Sequence, residues 1–323
     1  MLRHYGLRDR PLRGAWRHAY SSAVGFCGGA CVGLVGWGGA QFIIPGMTHP
    51  VMGLSQLAAT GVSLCSLSMS TVSGALKFWN DSSVSVATAV AIAVPSIFTA
   101  RIGARLAARL PDDVLQLTFN SASVILIPTH LLVQRNAARR WGANDITVDT
   151  ATSRPGAPTT LRSDAGAADV DQQQLGSHIL ECERTQPQPE GMNAALAVGH
   201  CAFGCVSGVV SAVIGIGGLP LTMSYLTAVA EMPHHLVQGT TQLAVAPSAI
   251  TSALSRVHVI PAGSAVAVTL GAMGGATVGA SLALRTSEER LRELYMLSLV
   301  VLGGRSVVAA GRNLRTIWSR NHK

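Results

Sequence analysis

Apolar and polar positions along this chain fall into long blocks rather than short alternations. Predominantly apolar stretches run near 21–45, 51–78, 83–108 and 113–133, and again near 193–214, 219–230, 236–258, 261–284 and 289–310. Most reach the roughly 20 residues that a helix needs to cross a hydrocarbon core. Period-two alternation is absent, so the pattern predicts helices, not strands. Residues 134–191 break the series. They carry Asp145, Asp149, Arg154, Pro155, Pro158, Asp164, Asp169, Asp171, a glutamine run at 172–174, Pro187 and Pro189. No apolar period survives there, which predicts a flexible, solvent-exposed linker.

Inside the apolar blocks one element occurs twice. Gly36-Trp37-Gly38-Gly39 is followed by Pro45, and Gly215-Ile216-Gly217-Gly218 is followed by Pro220. Glycine and proline at this density interrupt a helix. Within a bilayer, interrupted backbone is tolerated only where protein or a water-filled cavity supplies partners. Matching interruptions in two halves point to a transporter's substrate site. The blocks around them also match in order. Thr60 overlays Thr241, Lys77 falls opposite His258, Ala100 to Ala107 overlays Ala276 to Ala283, and Pro111-Asp112-Asp113 meets Ser287-Glu288-Glu289. The expected fold is an all-α membrane protein, a polytopic bundle of about eight transmembrane helices in two tandem homologous halves with Gly-rich helix breaks. Its expected divisions are a basic tail over 1–20, a first membrane repeat over 21–133, the linker over 134–192, a second repeat over 193–310 and a basic tail over 311–323.

Composition agrees with that expectation. Of 323 residues, 48% are hydrophobic and only 12% charged, against about 25% charged in soluble domains. A soluble Ala- and Gly-rich enzyme has to explain that shortage. The formal charge is +8, and its basic residues cluster beside apolar blocks: Arg3 to Arg17 before the first, Arg135 to Arg140 after the fourth, Arg312 to Lys323 after the last. Such clusters mark cytoplasmic ends and place both termini there. The Arg-rich, acid-poor start also reads as a mitochondrial transit peptide, which would put the chain in the mitochondrial inner membrane. No basic face suits nucleic acid. Five of six cysteines sit in apolar blocks, with Cys27/Cys31 and Cys201/Cys205 each spaced by four. The pairs do not overlay, so the reading is small buried apolar residues and no metal. No cofactor is expected.

The paired Gly-x-Gly-Gly elements, the small-residue-Thr motif in the following helix and the Gly-Ala-x-Leu-Ala motif after it resemble the sulfite exporter TauE/SafE family of membrane permeases. The resemblance covers roughly 21–133 and 193–310. It implies a multi-pass carrier of sulfite or other small sulfur-containing anions. Three features depart from it: bulky Trp37 in the first element, Pro45 six residues past Gly39 where Pro220 is two past Gly218, and a long linker.

Candidate substrate residues are Gly36, Gly38, Gly39, Gly215, Gly217 and Gly218 with Pro45 and Pro220, because unwound backbone and helix N-termini offer N–H groups to an oxyanion. The alternative is that these glycines only allow tight packing. Thr60, Thr241, Gln56 and Gln242 offer hydroxyl and amide donors, or else interhelical bonds. Lys77, Arg101, Arg256 and Arg305 are charges within or beside spans, functional by default, although Lys77 and Arg256 read as snorkelling to the interface. His49, His234 and His235 read as loop residues. No catalytic constellation appears, so an enzyme is not expected. The expected function is transport of a small anion across a lipid bilayer. The coupling proton or ion and the oligomeric state are open. A non-transporting scaffold and an anion channel of the same fold remain as alternatives.

Overall fold

A computed structural model describes residues 14–125, 193–229 and 232–287, with separate positions within 128–133 and 289–311. The linker, residues 1–13 and 312–323, Cys182 and Arg305 lie outside the described residues, and the tail expected over 1–20 is shorter, because α1 already starts at Ala15. All the described regular structure is helical: α1 Ala15–Val35, α2 Ala40–Thr48, α3 Gln56–Asn80, α4 Val86–Arg109, α5 over 112–125, α6 Ala194–Ile214, α7 Leu219–Val229, α8 His234–Leu254 and α9 Ala262–Ala283. Further helical positions follow from 289. Among the described residues five helices (α1, α3, α4, α6 and α9) are long and apolar enough to cross a membrane. α8 has 21 residues, about 31 Å of helix. It is rich in Gln, Ser and Thr, and protein rather than lipid covers most of it.

The distribution of polarity is that of a protein solvated by hydrocarbon. Exposed positions carry Phe98, Ile102, Leu106, Val198, Val206, Leu270, Val278 and Leu282, while Ser63, Ser66, Thr71, Thr88, Gln238, Thr240, Thr241 and Gln242 are buried. α3 is the most buried of the long apolar helices. Most of its hydroxyls are satisfied within the helix: Ser66, Ser70, Thr71 and Ser73 donate to carbonyls three or four residues back. A serine-rich helix can therefore sit at the centre of the bundle without leaving orphan donors.

Two close helix pairs hold the bundle together, and both join one side of the linker to the other. α1 packs on α9 and α4 on α6. Gly25, Gly29 and Gly33 face the backbone of Val268, Ala272 and Ala276, and Gly271, Gly275 and Gly279 face the backbone of Ser22, Phe26 and Ala30. On the other pair, Gly204 and Gly208 meet the backbone at Ile92 and Ser96, and Gly103 meets that of Val209. Lipid tails are as apolar as leucine, so dispersion between closely approaching backbones has to replace the hydrophobic effect. The four-residue spacing of Gly25, Gly29 and Gly33 in the sequence becomes that contact face.

The element order long, short, long, long is the same before and after the linker. α2 has 9 residues and α7 has 11, about half a membrane crossing each. The apolar block at 21–45 is thus two helices separated by the first break. The histidines expected in a loop open α8 instead. Pro233 is its N-cap, and His234 is buried edge-on against Tyr295. A fixed proline φ before the first turn favours that start. His49 does fall at a helix end, exposed, as the C-cap of α2.

Candidate functional site

The two breaks are real interruptions and they meet. α1 ends at Val35, and Gly36 takes φ 71° and bonds back to the Val32 carbonyl. α6 ends at Ile214, and Gly215 takes φ 80° and bonds back to Ser211. A Cβ on Gly38 would lie 2.6 Å from the Ile216 carbonyl oxygen, so the breaks touch directly. Each also faces the far side of the chain. Gly36 lies against Met223 and Gln238, Gly215 against Thr60, and Gly217 against Leu67. The breaks differ in backbone. Gly215, Gly217 and Gly218 all have positive φ, but only Gly36 does in the first. Trp37 of the first break is buried and packs 6.1 Å from the ring of Tyr295.

A helix break presents two kinds of orphan backbone group: carbonyls at the end of one helix and N–H groups at the start of the next. Here side chains answer two carbonyls at each helix end. Gln238 Nε2 donates to Gly33 O at 2.7 Å and Gln242 Nε2 to Val32 O at 3.2 Å, covering the end of α1. Ser63 Oγ donates to Gly215 O at 3.2 Å, and Arg256 Nη2 donates to Ala212 O, covering the end of α6. Interhelical bonds of this kind contribute about 0.6 kcal/mol each. The N–H groups of Gly38, Gly39, Gly217 and Gly218, all buried, meet no backbone acceptor among the described residues. Side-chain donors thus reach Val32 and Gly33 at the end of α1 and Ala212 and Gly215 at the end of α6, while those four N–H groups stay open to an acceptor, which favours negative charge there.

Not every candidate from the sequence lies here. Thr60 does: it is fully buried, touches Gly215 and accepts from Arg256 Nη1 at 2.9 Å. Gln242 does, through Val32 O. Thr241 is buried on α8 with its hydroxyl unpartnered among the described residues. Gln56 opens α3 one turn before Thr60, its amide nitrogen also unpartnered. Pro220 lies in the first turn of α7, where its missing N–H costs nothing. Pro45 is in the second half of α2, away from the break. Lys77 is exposed at the last turn of α3, and Arg101 is exposed on α4. Arg256 corrects the snorkelling expectation: it is 1% exposed and turned inward. It follows the end of α8, and the irregular turn to Val257–Val259 aims it at α3 and α6 rather than at an interface.

Four contributors escaped the sequence reading: Gln238, Ser63, Ser211 and Gln41. Gln238 stands four residues before Gln242, on the same helical face, and that spacing was the available signal. Ser211 and Gly218 help line a small recess with Val210, Ile214, Ile216, Pro220 and Leu221. Gln41 Nε2 donates to Ser123 Oγ at 2.6 Å and ties α2 to α5. Nothing in local sequence marks either. The paired cysteines correct the expectation of burial, because their helix faces turn outward: Cys27, Cys201 and Cys205 are exposed and Cys31 is intermediate.

Helices with apolar outer faces, a polar interior and two facing breaks define an integral, multi-pass helical membrane protein. The family model for sulfite exporter TauE/SafE matches residues 21–306, and the chain belongs to that family. Membership makes it a membrane transporter, in a family of transporters of sulfite and related anions. Comparison with curated proteins gave no match, and comparison with solved structures gave none.

Proposed function

We propose that this chain carries a small sulfur-containing oxyanion, sulfite or an organosulfonate, across the bilayer by alternating access, and that the anion sits between the two breaks. One observation carries the reading: among the described residues the buried N–H groups of Gly38, Gly39, Gly217 and Gly218 meet no backbone acceptor, while the carbonyls of Val32, Gly33 and Gly215 beside them take side-chain donors. An oxyanion supplies acceptors and negative charge, and suits helix N-termini without needing a deprotonated or metal partner. Gly36, Gly38, Gly39, Gly215, Gly217 and Gly218 form the backbone of the seat. Thr60, Thr241, Gln56 and Gln242 are the hydroxyl and amide groups around it, and Pro220 fixes the entry to α7. The touching of Gly38 and Ile216 fits a shut conformation, which opens as the halves separate.

The reading extends to architecture. About eight spans form two tandem homologous halves, 21–133 and 193–310, joined by a polar linker, with both basic termini on the cytoplasmic side. The common order of elements and the matching positions of the breaks support it. The test is uptake of radiolabelled sulfite by proteoliposomes holding the full chain. Saturable uptake, competed by methanesulfonate and not by choline, is expected. Vesicles no faster than protein-free liposomes for every sulfur oxyanion tried would overturn the proposal.

A further inference from the structure

A buried cation with no carboxylate beside it among the described residues stands next to the second break. Arg256 is 1% exposed. Its Nη1 donates to Thr60 Oγ1 at 2.9 Å and its Nη2 to the carbonyl of Ala212. Its Nε is buried and unpartnered, and among the described residues it meets no carboxylate. Burying a charge is tolerated when it is paired, and an ionisable side chain turned into a membrane bundle marks an ion's path. The two groups it holds belong to the break: Thr60 packs on Gly215, and Ala212 is three residues before it. Among the described residues the first break has no equivalent. Its carbonyls are held by the neutral amides of Gln238 and Gln242, and Lys77, on the helix that corresponds to α8, is exposed.

The geometry points to Arg256 as the group that receives the anion's charge, which makes the seat one-sided and assigns it to the second break. A guanidinium offers two parallel N–H donors along one edge, matched to two oxygens of a sulfite or sulfonate group. Nε is free for that edge, and an anion oxygen replaces the Ala212 carbonyl as the second partner. Occupancy then releases the end of α6 at the same moment that it neutralises the cation, so binding is coupled to movement of the break. This rests on the anion-transport reading above.

The experiment uses the full chain in proteoliposomes, with radiolabelled sulfite as the probe, comparing wild type with Arg256→Lys and Arg256→Gln. Arg256→Lys keeps the charge and loses the fork, so KM for sulfite should rise about tenfold with kcat changed less than about twofold. Arg256→Gln should abolish saturable uptake. It should also lose the thermal protection that sulfite gives the wild type in detergent. The lysine variant carries the test if the glutamine variant does not fold. Lowered thermal stability with an unchanged KM in Arg256→Lys means that Arg256 is only a clasp for α6, and overturns the assignment. Wild-type uptake with both variants at the wild-type KM overturns this inference alone. A wild type that moves no sulfite brings down the transport reading and this one with it.

Discussion

At the scale of single residues, the glycines of positive φ divide into those that need glycine for conformation alone and those that also need it for space. Gly53 and Gly215 separate the two. Both have positive φ, but a Cβ on Gly53 finds nothing nearer than 3.9 Å, whereas one on Gly215 falls 2.7 Å from the Cβ of Thr60. Gly53→Ala should cost only left-handed strain, about 1 kcal/mol, and leave uptake intact. Gly215→Ala adds a collision with α3 and should cost about 3 kcal/mol or more while abolishing uptake. Thermal unfolding in detergent, followed with the uptake assay, checks both, and equal losses would contradict the packing argument. The sequence showed where these glycines interrupt the helices because a helix ends through local chemistry. Val35 and Ile214 are the last helical residues before the two motifs. It did not show that Arg256 turns inward. A charge just past a helix end snorkels or buries according to what α3 and α6 place beside it, and no local window contains those helices.

At the scale of elements, the α1–α9 contact is a face in which alternate glycines do different work. Gly275 lies against the backbone of Phe26 and Ala30, yet a Cβ on its neighbour Gly274 would meet nothing within 4 Å. Adjacent substitutions should therefore have opposite signs. Gly274→Ala gains helix propensity, up to about 1 kcal/mol. Gly275→Ala drives α1 away from α9 and should lower the unfolding temperature by several degrees or prevent folding. Differential scanning fluorimetry of the purified variants reads both, and a destabilised Gly274→Ala would mean that the outer face of α9 is covered by something else. The glycine spacing on α1 was legible as a packing face, but its partner was not. Which helix answers a smooth face is decided by the whole bundle, since many apolar blocks in this chain carry small residues. The same limit applies to Gln238. Its spacing from Gln242 is visible, but a glutamine on a helix reads as a site only once the end of α1 is known to lie beside it.

At the scale of the whole molecule, the closest helix pairs both cross the linker, so neither side contains its main packing partners. α1 lacks α9, and α6 lacks α4, if either side is made alone. The caps of the breaks cross as well: α8 covers the carbonyls of α1, and α3 with Arg256 covers those of α6. A side made alone would expose glycine faces to lipid, where they gain no dispersion, and would leave helix-end carbonyls unanswered, which is costly in hydrocarbon. Two apolar series flanking a polar stretch suggest two self-sufficient units, yet the contacts describe one interlocked bundle. Cutting the chain between Gln174 and Leu175 tests this. Each fragment expressed alone should be degraded or aggregate, whereas co-expressed fragments should co-purify and restore uptake. Recovery of activity without covalent connection also follows if the linker only spans distance. A fragment that is monodisperse and thermally stable by itself would show that contacts within one side suffice, and the crossing pairs would then be a docking surface rather than the core.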